Sequence, residues 1–222
     1  MDVRALLFDF DGLIVDTESP SLAAWRRLYE QYGQELTLER WSAAIGTLDG
    51  FDPIAHLEEL VGSPLERDVL VARQREHELT LVEAEQLRPG IADYLADAER
   101  QGLKKAIVSS SSRRWIDGHL TRLEHAFGWD AIVTADHDPS RAKPSPKLYL
   151  EALALLGVGA EEAIALEDSP NGVRAAKAAG LYCVGVPNPV TAELGLDDAD
   201  LVVESLARLP LADLLRRRSG AS

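Results

Sequence analysis

The apolar run Ala5-Leu6-Leu7-Phe8 breaks directly into Asp9-Phe10-Asp11-Gly12. A short apolar run closed by a turn signal reads as a strand buried on both faces, which requires helices above and below it. The run also delivers two carboxylates, two residues apart, to the carboxyl end of that strand. In open α/β sheets this is the edge where ligands bind. Asp-Gly alone is an ordinary turn signal, so the rest of the chain decides between a turn and a site.

Further apolar runs at 104–109, 131–134, 163–167, 182–186 and 200–203 follow the opening run at 4–9. Amphipathic stretches of helical length lie near 91–101, 112–126, 145–156, 171–180 and 205–217. This alternation predicts an α/β fold with a doubly wound, mostly parallel sheet. Gly102, Gly157 and Gly180 stand where left-handed helix stops are expected. Residues 15–89 break the alternation. Leu22, Trp25, Leu28, Tyr29 and Tyr32 recur there at helical spacing, and Gly33, Gly46, Gly50 and Gly62 divide the stretch into about four helices. The expected organisation is a core of residues 1–14 and 90–222 carrying an inserted all-helical cap, 15–89, with Arg88-Pro89-Gly90 as a stiff-then-loose return. Such an insert sits above Asp9 and Asp11, as a closing lid or as a rigid packed subdomain. The tail from Arg216 onward is expected to fray.

With 222 residues, 46% of them hydrophobic, the chain can bury a sizeable core. A net charge of −14 repels nucleic acid and anionic membranes, so neither is an expected partner. An anionic substrate would then need local positive charge from a metal, Lys or Arg. Cys183, the single cysteine, lies in a strand-like run and is expected in the core. No signal-like segment precedes the first run and none is long enough to span a bilayer, so a cytoplasmic protein is expected. The pattern does not fix the oligomeric state, and a monomer is compatible with it.

Each later strand runs into polar residues at its carboxyl end. Ala106-Ile107-Val108 leads into Ser109-Ser110-Ser111-Ser112, whose hydroxyls and N–H groups precede a helix and suit an anion. Lys143, followed by Pro144 and Pro146, is aimed by its prolines; a held ammonium there would neutralise a carboxylate and a phosphate. Ala165-Leu166 runs into Glu167-Asp168-Ser169-Pro170. Paired acids after an apolar strand are costly unless they bind something, and a hard cation such as Mg²⁺ takes carboxylate oxygens. An N-cap role for Asp168 would explain one acid and leave Glu167 over. The five histidines (His56, His77, His119, His125, His137) show no zinc-ligand spacing and receive no role, His137 being the one expected near the site.

In order, Asp9-Phe10-Asp11-Gly12, Ser110, Lys143 and Glu167-Asp168 resemble the four motifs of the haloacid dehalogenase superfamily. Phe8-Asp9-Phe10-Asp11-Gly12-Leu13-Ile14-Val15-Asp16-Thr17-Glu18 and Leu166-Glu167-Asp168-Ser169-Pro170-Asn171-Gly172-Val173 are similar to its β-phosphoglucomutase-like branch. The resemblance spans essentially the whole chain, helical cap included. It implies Asp9 as nucleophile forming an aspartyl-phosphate, and Asp11 as acid and base with a backbone carbonyl on Mg²⁺. It implies Ser110 on the transferring phosphoryl group, with Gly12, Ser109 and Ser111 beside it and Ser109 as the alternative register. Lys143 would bridge nucleophile and phosphate, and Asp9, Asp11, Glu167 and Asp168 would form the metal set.

Asp11 with Glu167-Asp168 favours phosphoryl transfer over dehalogenation, which in this superfamily uses no metal. No lysine precedes Lys104, so the family's Schiff-base route lacks its cap lysine. The mutase pattern places an arginine where this chain reads Asp49, three residues after Gly46, and a histidine where it reads Ser21. Arg26, Arg27, Arg73 and Arg75 are expected on solvated helix faces. The expectation is therefore a Mg²⁺-dependent phosphatase of a small phosphorylated metabolite such as a sugar phosphate. A phosphomutase is the alternative, and a phospho-acceptor signalling domain is the non-enzyme alternative.

Overall fold

The computed structural model describes residues 2–42, 45, 51–123 and 128–220. Gly46 through Gly50, His125 and the last two residues of the tail lie outside the described residues.

Six strands, β1 (Ala5–Phe8), β2 (Lys104–Ser109), β3 (Ala131–Thr134), β4 (Ala163–Glu167), β5 (Tyr182–Gly185) and β6 (Leu201–Val202), form one parallel sheet in the order β3-β2-β1-β4-β5-β6. The chain leaves β1 towards one edge and returns to build the other half from β4. The sheet's switch point therefore falls beside β1, the crevice where ligands bind in such sheets. Alternation along β1 sends Ala5 and Leu7 into one core layer and Leu6 and Phe8 into the other.

The first layer is closed by α7 (Lys147–Leu156) and α8 (Pro170–Ala178). The second is closed by α5 (Ile91–Arg100), α6 (Arg113–Arg122) and α9 (Leu211–Ser219). Cys183 is buried in the first layer, where burial raises its thiol pKa. Two helices depart from the sequence expectation. The segment after Lys143 turns, with Ser145 N–H on the Ala142 carbonyl at 3.1 Å, and α7 starts only at Lys147. The arginine-rich tail does not fray at Arg216: α9 continues to Ser219, with Arg218 over the Tyr182 ring and hydrogen-bonded to the Glu161 carbonyl.

Between β1 and α5 lie α1 (Glu18–Gln31), α2 (Leu38–Trp41), α3 (Pro53–Val61) and α4 (Arg67–Val82). They share a separate apolar cluster that includes Leu22, Trp25, Leu28, Tyr29, Trp41, Leu57 and Leu70. Val190, from the loop after β5, completes it. The two connections to the sheet run side by side, Val15 bridging Leu87 and Arg88 N–H meeting the Ile14 carbonyl at 2.9 Å. Gly90 is not loose. Its φ is +91°, and a Cβ there would lie 2.3 Å from Ala207 N, so the position is a tight packing point. No helix among the described residues is long and apolar enough to cross a membrane.

Candidate active site

Asp9 is the residue after β1, and its N–H donates to the Leu166 carbonyl at 3.0 Å. That bond continues the β1–β4 register by one residue and brings Asp9 level with the acids at the end of β4. Carboxylate oxygens of Asp9, Glu167 and Asp168 all lie within 4.8 Å of one another. Lys143 reaches the same point from the loop before α7. Its ammonium donates to Asp9 Oδ1 and pairs with Glu167 Oε1 at 2.6 Å. All four residues are buried, none more than 5% exposed.

Three buried carboxylates against one ammonium leave negative charge uncompensated, which low-dielectric surroundings make expensive. Burial, then its acidic neighbours, raise the carboxyl of Asp168 well above its usual range. Burial raises that of Asp9 too, with Lys143 opposing and Glu167 and Asp11 adding. Burial works against the charge on Lys143, but Asp9 and Glu167 outweigh it and hold the ammonium protonated. Two buried oxygens, Asp9 Oδ2 and Glu167 Oε2, have no hydrogen-bond donor among the described residues. A divalent cation fits both facts, since it supplies positive charge and takes carboxylate oxygens.

The surroundings hold these acids in place. Asn188 donates to Asp168 Oδ2 at 2.7 Å, and Tyr149 donates to Glu167 Oε1. Ser169, not Asp168, caps α8, accepting from Gly172 N, so Asp168 is free to face the cluster. Two glycines leave room for carboxylates. A Cβ on Gly12 would meet Asp168 Oδ2 at 2.2 Å, and one on Gly172 would meet Glu167 Oε2 at 1.8 Å.

Asp11 stands outside the three-acid group, with donors on both of its oxygens. Oδ1 accepts from Thr17 Oγ1 at 3.0 Å and from the Trp115 indole N–H at 2.7 Å. Oδ2 accepts from Ser109 Oγ at 3.1 Å and Ser111 Oγ at 2.7 Å. Ser109 and Ser111, expected at the phosphate, thus commit their hydroxyls to Asp11. Ser110 Oγ accepts from the Lys143 N–H at 3.1 Å and lines the same cleft.

That cleft, about 1030 Å³, lies between the sheet edge and helices α1 and α4. Asp9, Asp11, Ser110, Lys143 and Asp168 form its floor; Glu18, Ser21, Arg75 and Glu78 line it from the opposite helices. Burial, followed by Asp11, Asp9, Asp16 and Glu78, raises the Glu18 carboxyl from 4.5 to about 8. Arg75 is exposed, on a solvated helix face as expected, and from there it also lines the cleft, its guanidinium over the Trp115 ring at 5.2 Å. His119 also lines the cleft alongside His137, its ring edge-on to Trp115. Sequence reasoning missed Trp115, Thr17, Tyr149, Asn188 and His119. Trp115 and His119 left one usable signal, an i,i+4 aromatic pair on the helix that follows the serine run.

A parallel sheet with acids and a lysine gathered at its switch point, facing a helical insert, is the frame of an α/β enzyme. Residues 6–186 match the haloacid dehalogenase-like hydrolase family, and the chain belongs to it. The Bacillus subtilis protein YhcW is 44% identical over 213 residues, covering 96% of each chain. The phosphorylated carbohydrates phosphatase of Thermotoga maritima is 33% identical over 184 residues, 81% of this chain and 82% of that one. The crystal structure of a CbbY variant from Rhodobacter sphaeroides in complex with xylulose-(1,5)bisphosphate superposes with a TM-score of 0.76 at 32% identity, covering 96% of this chain and 99% of that one.

Proposed function

We propose that this protein is a Mg²⁺-dependent phosphatase of a small phosphorylated sugar, working through an aspartyl-phosphate on Asp9. The gathering of Asp9, Glu167 and Asp168 around the Lys143 ammonium, with Asp11 alongside, carries the reading. The names of the relatives, a phosphorylated carbohydrates phosphatase among them, support the substrate class.

In this reading residues 1–14 and 90–222 form the catalytic core, and the helical insert 15–89 covers the cleft and excludes water. Asp9, Glu167 and Asp168, with the Asp11 carbonyl, would hold Mg²⁺, which offsets the charge of the substrate phosphate and these acids. Lys143 and Ser110 orient the phosphoryl group. An Asp9 carboxylate oxygen attacks phosphorus, the bond to the sugar oxygen breaks, and Asp11 gives its proton to that departing oxygen. Water then attacks the aspartyl-phosphate, Asp11 takes the proton back, and phosphate leaves with Asp9 restored. Ser21 at the cleft, where the mutase pattern has histidine, favours water over a second sugar hydroxyl as acceptor. The arginine position of that pattern, Asp49, lies outside the described residues.

The test is phosphate release from a panel of sugar phosphates, with Mg²⁺ and with chelator, by wild type and Asp9→Asn. Many turnovers in Mg²⁺, and loss of activity in chelator and in the variant, are expected. Release of a single equivalent would indicate a phospho-acceptor domain, isomerised sugar phosphate without free phosphate a mutase. Undiminished turnover by Asp9→Asn would overturn the nucleophile assignment.

A further inference from the structure

Asp11 is held by two unlike kinds of donor. Thr17, Ser109 and Ser111 offer hydroxyls, which can rotate and either give or accept a proton. The Trp115 indole can only donate. Its N–H lies 2.7 Å from Asp11 Oδ1, a partner 104 residues away in sequence. The ring is fixed on several sides. The backbone N–H of Trp115 donates to Ser112 Oγ, the cap of α6, at 3.3 Å, which anchors the residue at the helix start. His119, one turn further on, meets it edge-on with centroids 4.3 Å apart. Arg75 of α4 covers its face at 5.2 Å.

We infer that Trp115 is a positioning residue for Asp11, a one-way donor that pins Oδ1 and so sets the direction in which the carboxyl meets the leaving oxygen. This rests on the acid–base role proposed for Asp11. An oxygen clamped by a donor that cannot reverse is a poor seat for a proton. Oδ2 is bonded to two serine hydroxyls that can turn and accept, so it is the oxygen suited to carry the proton. Because Arg75 comes from the helical insert, the clamp is complete only with α4 seated against α6.

The test separates aim from mere packing by the leaving group. Departure of an alkyl oxygen needs the proton from Asp11, whereas p-nitrophenolate leaves without it. kcat/KM, which reports the steps up to leaving-group departure, is measured for p-nitrophenyl phosphate and for the fastest of glucose 6-phosphate, ribose 5-phosphate and glycerol 3-phosphate. Trp115→Phe keeps the ring and removes the N–H. It is expected to lower the alkyl value about tenfold, the scale of one hydrogen bond to a charged group, while leaving the aryl value within about twofold. Equal losses on both substrates, or no loss on either, would overturn the assignment.

Asp11→Ala serves as the reference. Undiminished alkyl hydrolysis in that variant would sink the acid role of Asp11 itself, whatever Trp115 does. Indole ¹⁵N–¹H spectra of the wild type and Asp11→Ala give a readout independent of turnover and of how the Phe variant folds. One indole resonance, displaced downfield by the carboxylate, is expected to move upfield in Asp11→Ala. Indole resonances unchanged between the two proteins would overturn the clamp.

Discussion

Glu18, first in α1, sits among Asp11, Asp9, Asp16 and Glu78, and its carboxyl is raised from 4.5 to about 8. Between those values the folded chain keeps a proton that the unfolded chain has released, so stability from this group falls as pH rises through the window and is level outside it. Glu18→Gln stays neutral throughout. Its stability relative to wild type, from urea melts in chelator, should therefore grow across that window by about 1 kcal/mol, since Glu18 is only half-buried and solvent screens its charge. A flat difference, or one of opposite sign, would contradict the crowding of acids at this spot. The acids were legible in the sequence because each follows an apolar run and so lies near a strand's carboxyl end, and Lys143 because of the prolines beside it. Trp115, Asn188 and Tyr149 were not. Each touches an acid through a contact that exists only once the sheet and helices have assembled.

At the scale of elements, β1, β2, β4 and β5 were readable because burial on both faces leaves almost uninterrupted apolar runs. Helix ends were less so. Pro144 invited a helix start, yet α7 begins at Lys147; the basic tail suggested fraying, yet Tyr182 and Glu161 hold it helical. The return from insert to sheet reads in the sequence as stiff-then-loose at Pro89 and Gly90, but its main tie is Arg88. That guanidinium donates to the carbonyls of Gly12, Val186 (3.1 Å) and Pro187 (2.7 Å), joining the motif loop after β1 to the loop after β5. Arg88→Ala leaves these carbonyls without their donor and should cost about 3 kcal/mol in denaturant melts. A loss below about 0.5 kcal/mol, the ordinary range for a surface substitution, would show that the connection does not depend on it.

For the whole molecule, a net charge of −14 and a site with three buried acids oppose an anionic substrate unless positive charge is supplied locally. The sheet topology collects carboxylates, one ammonium and Asp11 at one end, and in the proposed reading a divalent cation there would offset both these acids and the substrate's phosphate. The fold and this gathering followed from sequence pattern. What the cleft admits did not, because Glu18, Arg75 and Glu78 reach it from helices whose placement no local signal encodes. The most direct measurement is acid quench of a single turnover with a ³²P-labelled sugar phosphate, followed by mapping of the label. The account predicts label on Asp9 that rises and decays as free phosphate forms. Product formation with no label on the protein, or with label on another residue, would contradict it.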